Sequence, residues 1–374
     1  MTFQELPFLD VFKDASGGNI KTPQKEFLEE GEIPVVDQGQ SLIAGFVNDR
    51  ARVCKAKPPV IVFGDHTRAI KYVDFEFAMG ADGTKVLVPK VESDTKYLYH
   101  ALNAIEIPSA GYSRHFKFLK ETQIPLPPLA EQKRIAGILD AADALRARRR
   151  ESLAQLDTLL QSTFLEMFGD PVTNPMGWET VTIENAPLHI GDGNYSSKYP
   201  KASDFLSQGV PFIRANNISN NTVNANNMRF ISEEQHAELK KGHLVTGDVL
   251  ITTRGDVGQV AIVPSEFDDA NINAQLVLLR PTNSSLSSHY LCHLLGASAM
   301  RQKIKSLETG VALKQLPIRS LKKISLPVPS LDLQHRFAGI VESVEQQKAS
   351  QRAHLDELDT LFASLQSRAF NGEL

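Results

Sequence analysis

The sequence predicts an α+β protein made of two mostly β blocks, each followed by one long helix. The prediction starts from a repeated stretch: IPLPPLAEQKRIAGIL from Ile124 returns as LPVPSLDLQHRFAGIV from Leu326. Short β-branched runs precede both copies, and long amphipathic segments follow both. Two such units can close by pseudo-two-fold (circular) symmetry. The helices would then lie antiparallel, with one block at each end of the pair.

The repeated stretch is a duplication. Gln132 and Gln334 are 202 residues apart (334 − 132). At this offset, matching residues recur from Pro125 and Pro327 as far as Phe168 and Phe370. The repeat therefore predicts a first block at 1–128, a first helix at 129–168, a second block at 169–330 and a second helix at 331–374.

Each block is predicted to be mostly β. The runs VIVF, KVLVP, DVLITT and QLVLL are short, apolar and bounded by Gly, Pro, Asp or Asn. The segments DTKYLYHAL and SSHYLCHLLGASAMRQKIKSL have helical periodicity and are expected to pack on the sheets. Offsets between matching features grow from 177 (211 − 34) to 202 (334 − 132). The second block therefore carries insertions, chiefly in its early loops.

The two long segments have the pattern of paired helices. In the first, apolar residues such as Ile135, Ile138 and Ala142 recur at steps of three and four, and the second follows the same stripe. A single narrow apolar stripe on a long helix requires a partner helix. Because the only comparable helix in the sequence is the other copy, we expect an antiparallel coiled-coil pair.

Composition limits the class of protein. The chain has 374 residues, 42% of them hydrophobic, and a formal net charge of −4. No apolar run approaches the length of a membrane span. The only cysteines are Cys54 and Cys292, which suits a reducing cytoplasm. The mild negative net charge argues against a protein that binds nucleic acid without partners, because phosphate contacts need clustered Lys and Arg. Local basic faces or partner proteins could supply this positive charge.

Catalytic motifs are absent from the sequence. The Gly clusters GDGN and RGDVG lack the context of a dinucleotide site and the pattern of a phosphate loop. His289, Cys292 and His293 have a metal-like spacing, but they lie in an apolar helix with no fourth ligand nearby in sequence. We interpret them as residues of a packed helix. The sequence thus predicts no enzyme, no cofactor and no metal site.

Two similar but non-identical blocks on a rigid spacer are suited to reading two different features at a fixed distance. An asymmetric bipartite DNA site is the obvious example, since half-sites one helical turn apart are centred about 34–36 Å from each other. The words that carry a more specific resemblance are IPLPPLAEQKRIAGILDAADALRARR, EMFGDPVTNPMGWE and LPVPSLDLQHRFAGIV. With them, the whole chain resembles the specificity subunit of type I restriction–modification systems.

The resemblance implies a non-catalytic subunit with two target-recognition domains. It would bind double-stranded DNA and two modification subunits, which carry S-adenosylmethionine and methylate adenine at N6. Restriction and translocase subunits, which use ATP, would join the full complex. Two departures from the family pattern stand out: Leu333 replaces the usual Glu before Gln334, and the first block is shorter than the second.

Base edges in the major groove are read by Arg, Lys, Asn, Gln and Ser side chains on loops and strand edges. In the second block such residues are Asn194, Tyr195, Ser196, Lys198, Arg214, Asn216, Asn217, Arg254, Lys314 and Gln315. In the first block they are Gln38, His66, Arg68, Tyr112, Arg114, His115 and Lys117. Arg68 and Arg254 are favoured because both come after a buried-looking strand and lie at a Gly-Asp turn. For each residue, the alternative of a solvated loop position remains open.

The helix faces are expected to bind partners. Glu131, Gln132, Arg134, Gln334 and Arg336 are predicted to lie on outer faces that dock the modification subunits. The basic run Arg146, Arg148, Arg149 and Arg150 either faces DNA between the half-sites, binds an acidic partner surface or is solvated. Two other classes of function compete with this interpretation. A fused methyltransferase or nuclease fails for want of catalytic motifs, whereas a two-headed protein-binding adaptor or inactive paralogue that does not bind DNA stays open.

Overall fold

The chain forms two compact units. The computed structural model describes residues 3–108, 111, 113–195, 198–283, 285–310 and 314–374. Unit 1 comprises Met1–Glu151 and Arg352–Leu374, and unit 2 comprises Ser152–Gln351. The boundary divides both long helices, so each unit combines a globular part with a portion of each helix.

Unit 1 carries short strands and helices ahead of the first long helix. The strands are β1 Gln4–Pro7, β2 Phe12–Asp14, β3 Ile33–Val36, β4 Gly45–Val47, β5 Val60–Gly64, β6 Ile70–Val73, β7 Ala78–Met79, β8 Thr84–Pro89 and β9 Gln123–Leu126. The helices are α1 Phe8–Val11, α2 Thr95–Asn103, α3 Phe116–Leu119 and α4 Leu129–Phe168, and 3₁₀ turns lie at Gln24–Glu26 and Arg50–Arg52.

The strands of unit 1 form three small sheets. An antiparallel sheet has the order β2-β8-β5-β6, a second has the order β4-β3-β7, and β1 pairs with β9. Strand β5 is buried along its whole length, as its unbroken apolar run predicts. One side of the four-stranded sheet packs on α2 and on the long helices, in a core that includes Tyr97, Leu98, Ile135 and Leu139.

Unit 2 has the same kind of elements and more of them. Its strands are β10 Thr180–Thr182, β11 Leu188–Asp192, β12 Val210–Ile213, β13 Ile218–Ser219, β14 Asn221–Val223, β15 Arg229–Ile231, β16 Val249–Thr252, β17 Val260–Ile262, β18 Asn271–Ile272, β19 Leu276–Pro281 and β20 Ser325–Pro327. Its helices are α5 Glu233–Glu238, α6 Ser288–Gly296, α7 Ser298–Ser306, α8 Ile318–Leu321 and α9 Leu331–Phe370, with 3₁₀ turns at Ala202–Asp204, Ala215–Asn217 and Ser265–Phe267.

The sheets of unit 2 repeat those of unit 1. The order β11-β19-β16-β17 corresponds to β2-β8-β5-β6, and β15-β12-β18 corresponds to β4-β3-β7. The pair β10-β20 corresponds to β1-β9, whereas β14 and β13 extend the larger sheet of unit 2. The duplication seen in the tails therefore extends to the divergent blocks. Both units mix helices with largely antiparallel sheets, as an α+β fold requires.

The long helices run antiparallel within each unit. In unit 1, Arg146 of α4 contacts Asp359 of α9, while Arg134, three turns earlier, donates to the carbonyl of Leu374. In unit 2, Asp157 of α4 pairs with Lys348 of α9, and Phe168 packs against Phe337. Within the part of the chain that the structure describes, every helix is too short or too polar to span a bilayer.

Candidate nucleic-acid interface

A glutamine joins each block to its long helix. In unit 1 the Nε2 of Gln132 donates to the Pro127 carbonyl at 2.8 Å, and its Oε1 accepts from the Asp94 N–H at 2.9 Å. Gln334 in unit 2 makes the same contacts with Pro329 and Ser287, at 2.9 and 2.8 Å, and adds the Ser285 carbonyl. Each side chain therefore fastens the end of the last strand, the first helical turn and the start of an earlier helix.

The two glutamines are not part of an outward docking surface. Gln132 is 1% exposed and Gln334 is 0% exposed. Our prediction that both lie on the outer helix faces is wrong, because each amide is needed inside to satisfy buried backbone groups. We call this arrangement the glutamine clamp.

The remaining predicted docking residues do reach the surface. Glu131 and Arg134 form a two-contact ion pair at 2.7 and 2.8 Å, and Arg134 also donates to the Leu374 carbonyl. The hydrogen bond from Arg134 holds the pKa of the Glu131 carboxyl below its usual value. Arg336, the equivalent of Arg134, is exposed. Because Leu333 stands where the first copy has Glu131, this local ion pair is not repeated.

In unit 1, the loop after β5 organises the predicted site. The Asp65 carbonyl accepts from the backbone N–H of His115 at 2.8 Å and from its Nδ1 at 3.0 Å. The Asp65 carboxylate accepts from the Phe116 N–H at 2.7 Å. His115 is buried and is a support for this junction, so the prediction that it faces DNA is corrected. Tyr112 lies outside the described residues.

Three cations of unit 1 lie on this junction. Arg68 has a left-handed backbone (φ 62°), and its guanidinium donates to the Ile107 carbonyl at 3.0 Å. Arg114 is 78% exposed and lies 4.0 Å from Asp65. Lys117 is exposed on α3, with its ammonium 4.7 Å from the centre of the Phe118 ring. The structure thus places Arg68 on one side of this hydrogen-bonded junction and Arg114 and Lys117 on the other.

Gln38 and His66 lie beside the same loop but are more enclosed. The Gln38 Oε1 accepts from the His66 N–H at 3.3 Å, and the Gln38 carbonyl accepts from the Thr67 hydroxyl. Gly83 packs against both side chains, with a positive φ of 76° and no room for a Cβ. Gln38 and His66 are therefore half-buried, and they support the loop while leaving part of each side chain accessible.

Unit 2 repeats the junction with different side chains. The Leu316 N–H donates to the Thr253 carbonyl at 2.9 Å, which corresponds to the His115 contact with Asp65. Arg254 forms an antiparallel bridge with Gln315, and both residues are exposed. Lys314 directly precedes Gln315 in the chain, and its ammonium lies 3.7 Å from the Glu308 carboxylate. The structure therefore brings Arg254 together with Lys314 and Gln315.

Arg254 also borders a shallow groove with aromatic walls. Its guanidinium lies 5.4 Å from the centre of the Tyr195 ring, which is within reach of a cation–π contact. Tyr195 is 55% exposed, and its hydroxyl donates to the Ala274 carbonyl at 2.8 Å. Tyr199, Asn273 and Gln275 line the rest of this groove of about 400 Å³. We call this feature the Tyr195 groove.

Sequence reasoning missed three residues of the Tyr195 groove. Asn273 and Gln275 lie on the turn before β19, where their side chains are 2.8 Å apart, and Tyr199 follows the loop after β11. Burial raises the pKa of the Tyr199 hydroxyl, although nearby arginines oppose the shift. The only sequence signal was an Asn-x-Gln beside a strand, which is too common to indicate a site.

Two of the asparagines that were predicted to contact DNA are buried and support loops of unit 2. Asn217 is fully buried and bonds the backbone at Arg214, Asn224 and Asn226. Asn194 is also buried and donates to the Lys241 carbonyl. The prediction that Asn194 and Asn217 present side chains to DNA is corrected, because their amides satisfy backbone groups.

Arg214 remains partly accessible and has a second arginine beside it. It is half-buried and donates to the Asn227 carbonyl at 2.7 Å. Burial, followed by the charge of Arg229, lowers the pKa of its guanidinium. Two arginines in this position favour an anionic ligand, since a phosphate would relieve their repulsion. Arg229 was not predicted from the sequence.

The last predicted residues lie at the edge of unit 2. Asn216 is exposed on the 3₁₀ turn. Lys198 is exposed and pairs with Glu238 at 2.8 Å, while Ser196 lies outside the described residues. The accessible groups of both units are thus guanidinium, ammonium, amide and aromatic side chains on loops. These can donate to base edges and phosphates or stack on them, and they do not form a catalytic constellation among the described residues.

The chain is similar to a protein family and to several known proteins. A family model described as "Type I restriction modification DNA specificity domain" matches residues 3–156 and again 177–360. The Escherichia coli EcoBI specificity subunit is 26% identical and covers 78% of this chain and 68% of its own length. The Escherichia coli EcoR124I/EcoR124II specificity subunit is 23% identical, covering 91% and 86%. These relatives confirm the resemblance and the expectation of a specificity subunit instead of an enzyme.

The fold has matches among solved structures. The crystal structure of a type I restriction–modification S subunit from M. genitalium has a TM-score of 0.58 at 17% identity, covering 98% of this chain and 96% of that one. At that identity the match establishes the fold alone, and it confirms the α+β class. The chain belongs to the type I restriction–modification DNA specificity family and carries the domain of that family twice.

Proposed function

We propose that this specificity subunit reads an asymmetric, two-part site in double-stranded DNA. Residues 1–128 and 169–330 would be the two target-recognition domains, and each would read one half of the site. The spacer helices, residues 129–168 and 331–374, would set the gap between the half-sites. The chain would act in the cytoplasm, where its DNA substrate is found.

One observation carries this proposal: the two units share a frame but differ at the surface. Strand order, the glutamine clamp and the loop junction are the same in both. The exposed junction side chains are Arg68, Arg114 and Lys117 in unit 1, and Arg254, Lys314 and Gln315 in unit 2. A common frame with different donors is what two different DNA half-sites require.

Partners would supply the catalysis. Two modification subunits would dock on the helices and methylate adenine at N6, and restriction and translocase subunits would complete the larger complex. Glu131, Arg134 and Arg336 support this docking because they are charged and lie at the surface of the helix starts. Because the chain has a net charge of −4, its partners would supply part of the positive charge that contacts the DNA phosphates.

The test is to co-express the chain with its modification subunit and to map N6-methyladenine across the host genome. We expect a two-part motif with a fixed gap. Arg254→Ala should relax the base preference of one half by about 10- to 100-fold, because a well-placed arginine contributes about 1–3 kcal/mol of discrimination. The matched variant Arg68→Ala should relax the other half only.

The alternatives give different outcomes in the same experiment. A protein-binding adaptor or inactive paralogue would yield a stable complex without a methylated motif. If Arg254→Ala leaves both halves of the motif unchanged, the assignment of this arginine to base reading is wrong. If both variants relax the same half, the two units do not read separate half-sites.

A further inference from the structure

Unit 2 contains a cluster of metal-ligating side chains that its recognition surface does not use. His236 lies on α5, His243 lies in the loop that follows, and Asp269 lies in the turn before β18. One ligand atom from each residue lies within 4.8 Å of the others. Within the described ranges this is the only such group of three or more residues. We call it the His-His-Asp cluster.

Backbone pairing fixes two of the three residues before any ligand arrives. The Leu244 N–H donates to the Ala270 carbonyl at 2.9 Å, and the Asp269 N–H donates back to the Leu244 carbonyl at 3.1 Å. His243 and Asp269 are therefore held on adjoining segments. Asp269 has a left-handed backbone (φ 56°), which turns the chain at this point.

The ring of His243 is oriented in a way that suits a ligand. Its Nε2 lies 2.5 Å from the Leu239 carbonyl, to which it donates its proton. In the neutral ring the lone pair is then on Nδ1, which lies 3.9 Å from the Asp269 carboxylate. Histidines that bind metals commonly donate their other ring N–H to a carbonyl in this manner, which fixes the tautomer.

The spacing around His236 matches a small ion. Its Nε2 lies 3.3 Å from the Asp269 Oδ1, and its ring centre lies 4.3 Å from that of His243. In a tetrahedral zinc site with bonds of about 2.0–2.1 Å, neighbouring ligand atoms lie about 3.3–3.4 Å apart. The His236 ring is nine-tenths buried. Its Nδ1 has no hydrogen-bond partner among the described residues, so only the Asp269 side holds the ring.

We propose that His236, His243 and Asp269 bind a zinc ion. Two imidazoles and one carboxylate are a ligand set that zinc prefers, and the fourth position would be filled by water because Asp269 is 79% exposed. The ion would fasten α5 and its following loop to the segment that leads into β18. Strands β12 and β15 of the same small sheet carry Arg214 and Arg229 at their ends, so the ion would stiffen the base of that arginine pair.

The experiment measures zinc binding to the full-length protein without a histidine tag. After chelator treatment and dialysis, zinc chloride is titrated in competition with a chromophoric chelator. We expect one equivalent to bind to this cluster. Cobalt substituted for zinc should give the intense visible absorption of a tetrahedral site. Both readouts are independent of DNA binding and of the proposed function.

Matched variants assign the site. Asp269→Asn keeps a residue that tolerates the left-handed backbone, and His243→Gln removes the second ligand at a partly exposed position. Each should weaken zinc binding by at least about tenfold, on the scale seen when groups around a metal are removed. The control His189→Gln, at an exposed histidine on β11 of the same unit, should bind as the parent does.

Thermal unfolding provides the second measurement. Zinc should raise the unfolding midpoint of the parent and of His189→Gln, since a ligand that binds only the folded state stabilises it. It should not raise that of Asp269→Asn. The proposal is overturned if the parent binds no equivalent of zinc. It is also overturned if both cluster variants bind zinc as tightly as the control.

Discussion

Units 1 and 2 are two copies of one frame with different interiors. The hydroxyls of Tyr97 and Tyr290 donate to the carbonyls of Pro125 and Pro327 at the same distance, 2.7 Å. These residues are equivalent at offsets of 193 (290 − 97) and 202 (327 − 125). In both units this contact ties a short helix, α2 or α6, to the last strand before the long helix, β9 or β20. The end of each block next to the long helix is therefore built in the same way in both units.

The ion pairs between the long helices are also duplicated. Arg146 bonds Asp143 and Asp359 in unit 1, and the residues 202 positions away in the repeat form the same set in unit 2. There Lys348 pairs with Glu345 and Asp157. Part of the basic run at 146–150 is thus used to pair the helices. Arg146 and Arg150 both bond Asp359. Arg148 and Arg150 are exposed, so these two residues keep the surface roles that the sequence left open.

The interiors differ most at one aromatic cluster. In unit 2, Phe164, Phe168, Tyr290 and Phe337 pack with ring centres 4.8–5.8 Å apart. Unit 1 keeps Tyr97 and Phe370 at 5.7 Å. At the positions of Phe337 and Phe164, however, unit 1 has Ile135 and Gln366 (337 − 202 and 164 + 202). Unit 2 should therefore depend more heavily on aromatic packing.

The largest expected effect comes from removing that packing. Phe337→Ala should cost unit 2 about 4 kcal/mol of unfolding free energy, and Ile135→Ala should cost unit 1 about 3 kcal/mol. Trp178 is the only tryptophan of the chain and lies in unit 2, where its indole donates to the Phe168 carbonyl. Its fluorescence during urea unfolding therefore monitors unit 2, while circular dichroism monitors the whole chain.

This pair of variants tests whether the cores of units 1 and 2 unfold separately. We expect Phe337→Ala to move the Trp178 transition and Ile135→Ala to leave it in place. If both variants move it equally, the chain unfolds as one cooperative body. The two cores could not then be treated as separate sources of stability.

The glutamine clamp gives the next largest effect. Gln334 makes three hydrogen bonds and Gln132 makes two. At roughly 1 kcal/mol per buried bond, Gln334→Ala should cost about 3 kcal/mol and Gln132→Ala about 2 kcal/mol. Urea unfolding measures both losses. Gln347→Ala, at an exposed site on α9, is the control and should stay within about 0.5 kcal/mol of the parent.

Losses no larger than that of Gln347→Ala would show that the clamp does not stabilise the blocks. If both clamp variants remain folded but no longer co-purify with the modification subunit, the clamp positions the docking surface and does not stabilise the blocks.

The periodicity of apolar residues was sufficient to predict the two long helices, because the same stripe occurs in both copies of the repeat. The stripes through Ile135 and Phe337 predicted two long helices, and α4 and α9 form. A residue that recurs in both copies indicates a shared role, but the repeat does not show whether its side chain points inward or outward. Gln132 and Gln334 were therefore expected at the surface. The same limit applies to His115, Asn194 and Asn217. A polar loop residue that satisfies buried backbone groups has the same sequence signature as one that faces a ligand.

Residues brought together from distant segments could not be predicted. Asn273 and Gln275 meet Tyr199 only because the turn before β19 lies beside the loop after β11. The His-His-Asp cluster depends on the pairing of Leu244 with Ala270, which no local pattern specifies. Arg68 and Arg254 could be placed in exposed loops from the sequence because each comes shortly after a buried strand, and their contact with DNA stays a prediction.

The smallest expected effect compares two equivalent buried histidines as the pH falls. His100 of unit 1 corresponds to His293 of unit 2 (293 − 100 = 193). Burial lowers the pKa of both. At His100 the Asp140 carboxylate, 2.7 Å away, works in the opposite direction. His293 instead bonds the His289 carbonyl, and burial brings its pKa to about 4.

A histidine whose pKa is lower in the folded state than in the unfolded chain stabilises the fold above about pH 6.5, and this stability is lost as the pH falls toward the folded value. Unit 2 should therefore lose roughly 2 kcal/mol between pH 7.5 and 5 through His293. The unfolding free energy followed by Trp178 fluorescence across this range measures the loss. His293→Gln should flatten the dependence, whereas the matched His100→Gln should leave the Trp178 transition as pH-sensitive as in the parent. If the unfolding free energy of His293→Gln falls with pH as steeply as that of the parent, other groups of unit 2 cause its acid sensitivity. The missing carboxylate partner at His293 would then not explain the pH dependence of unit 2.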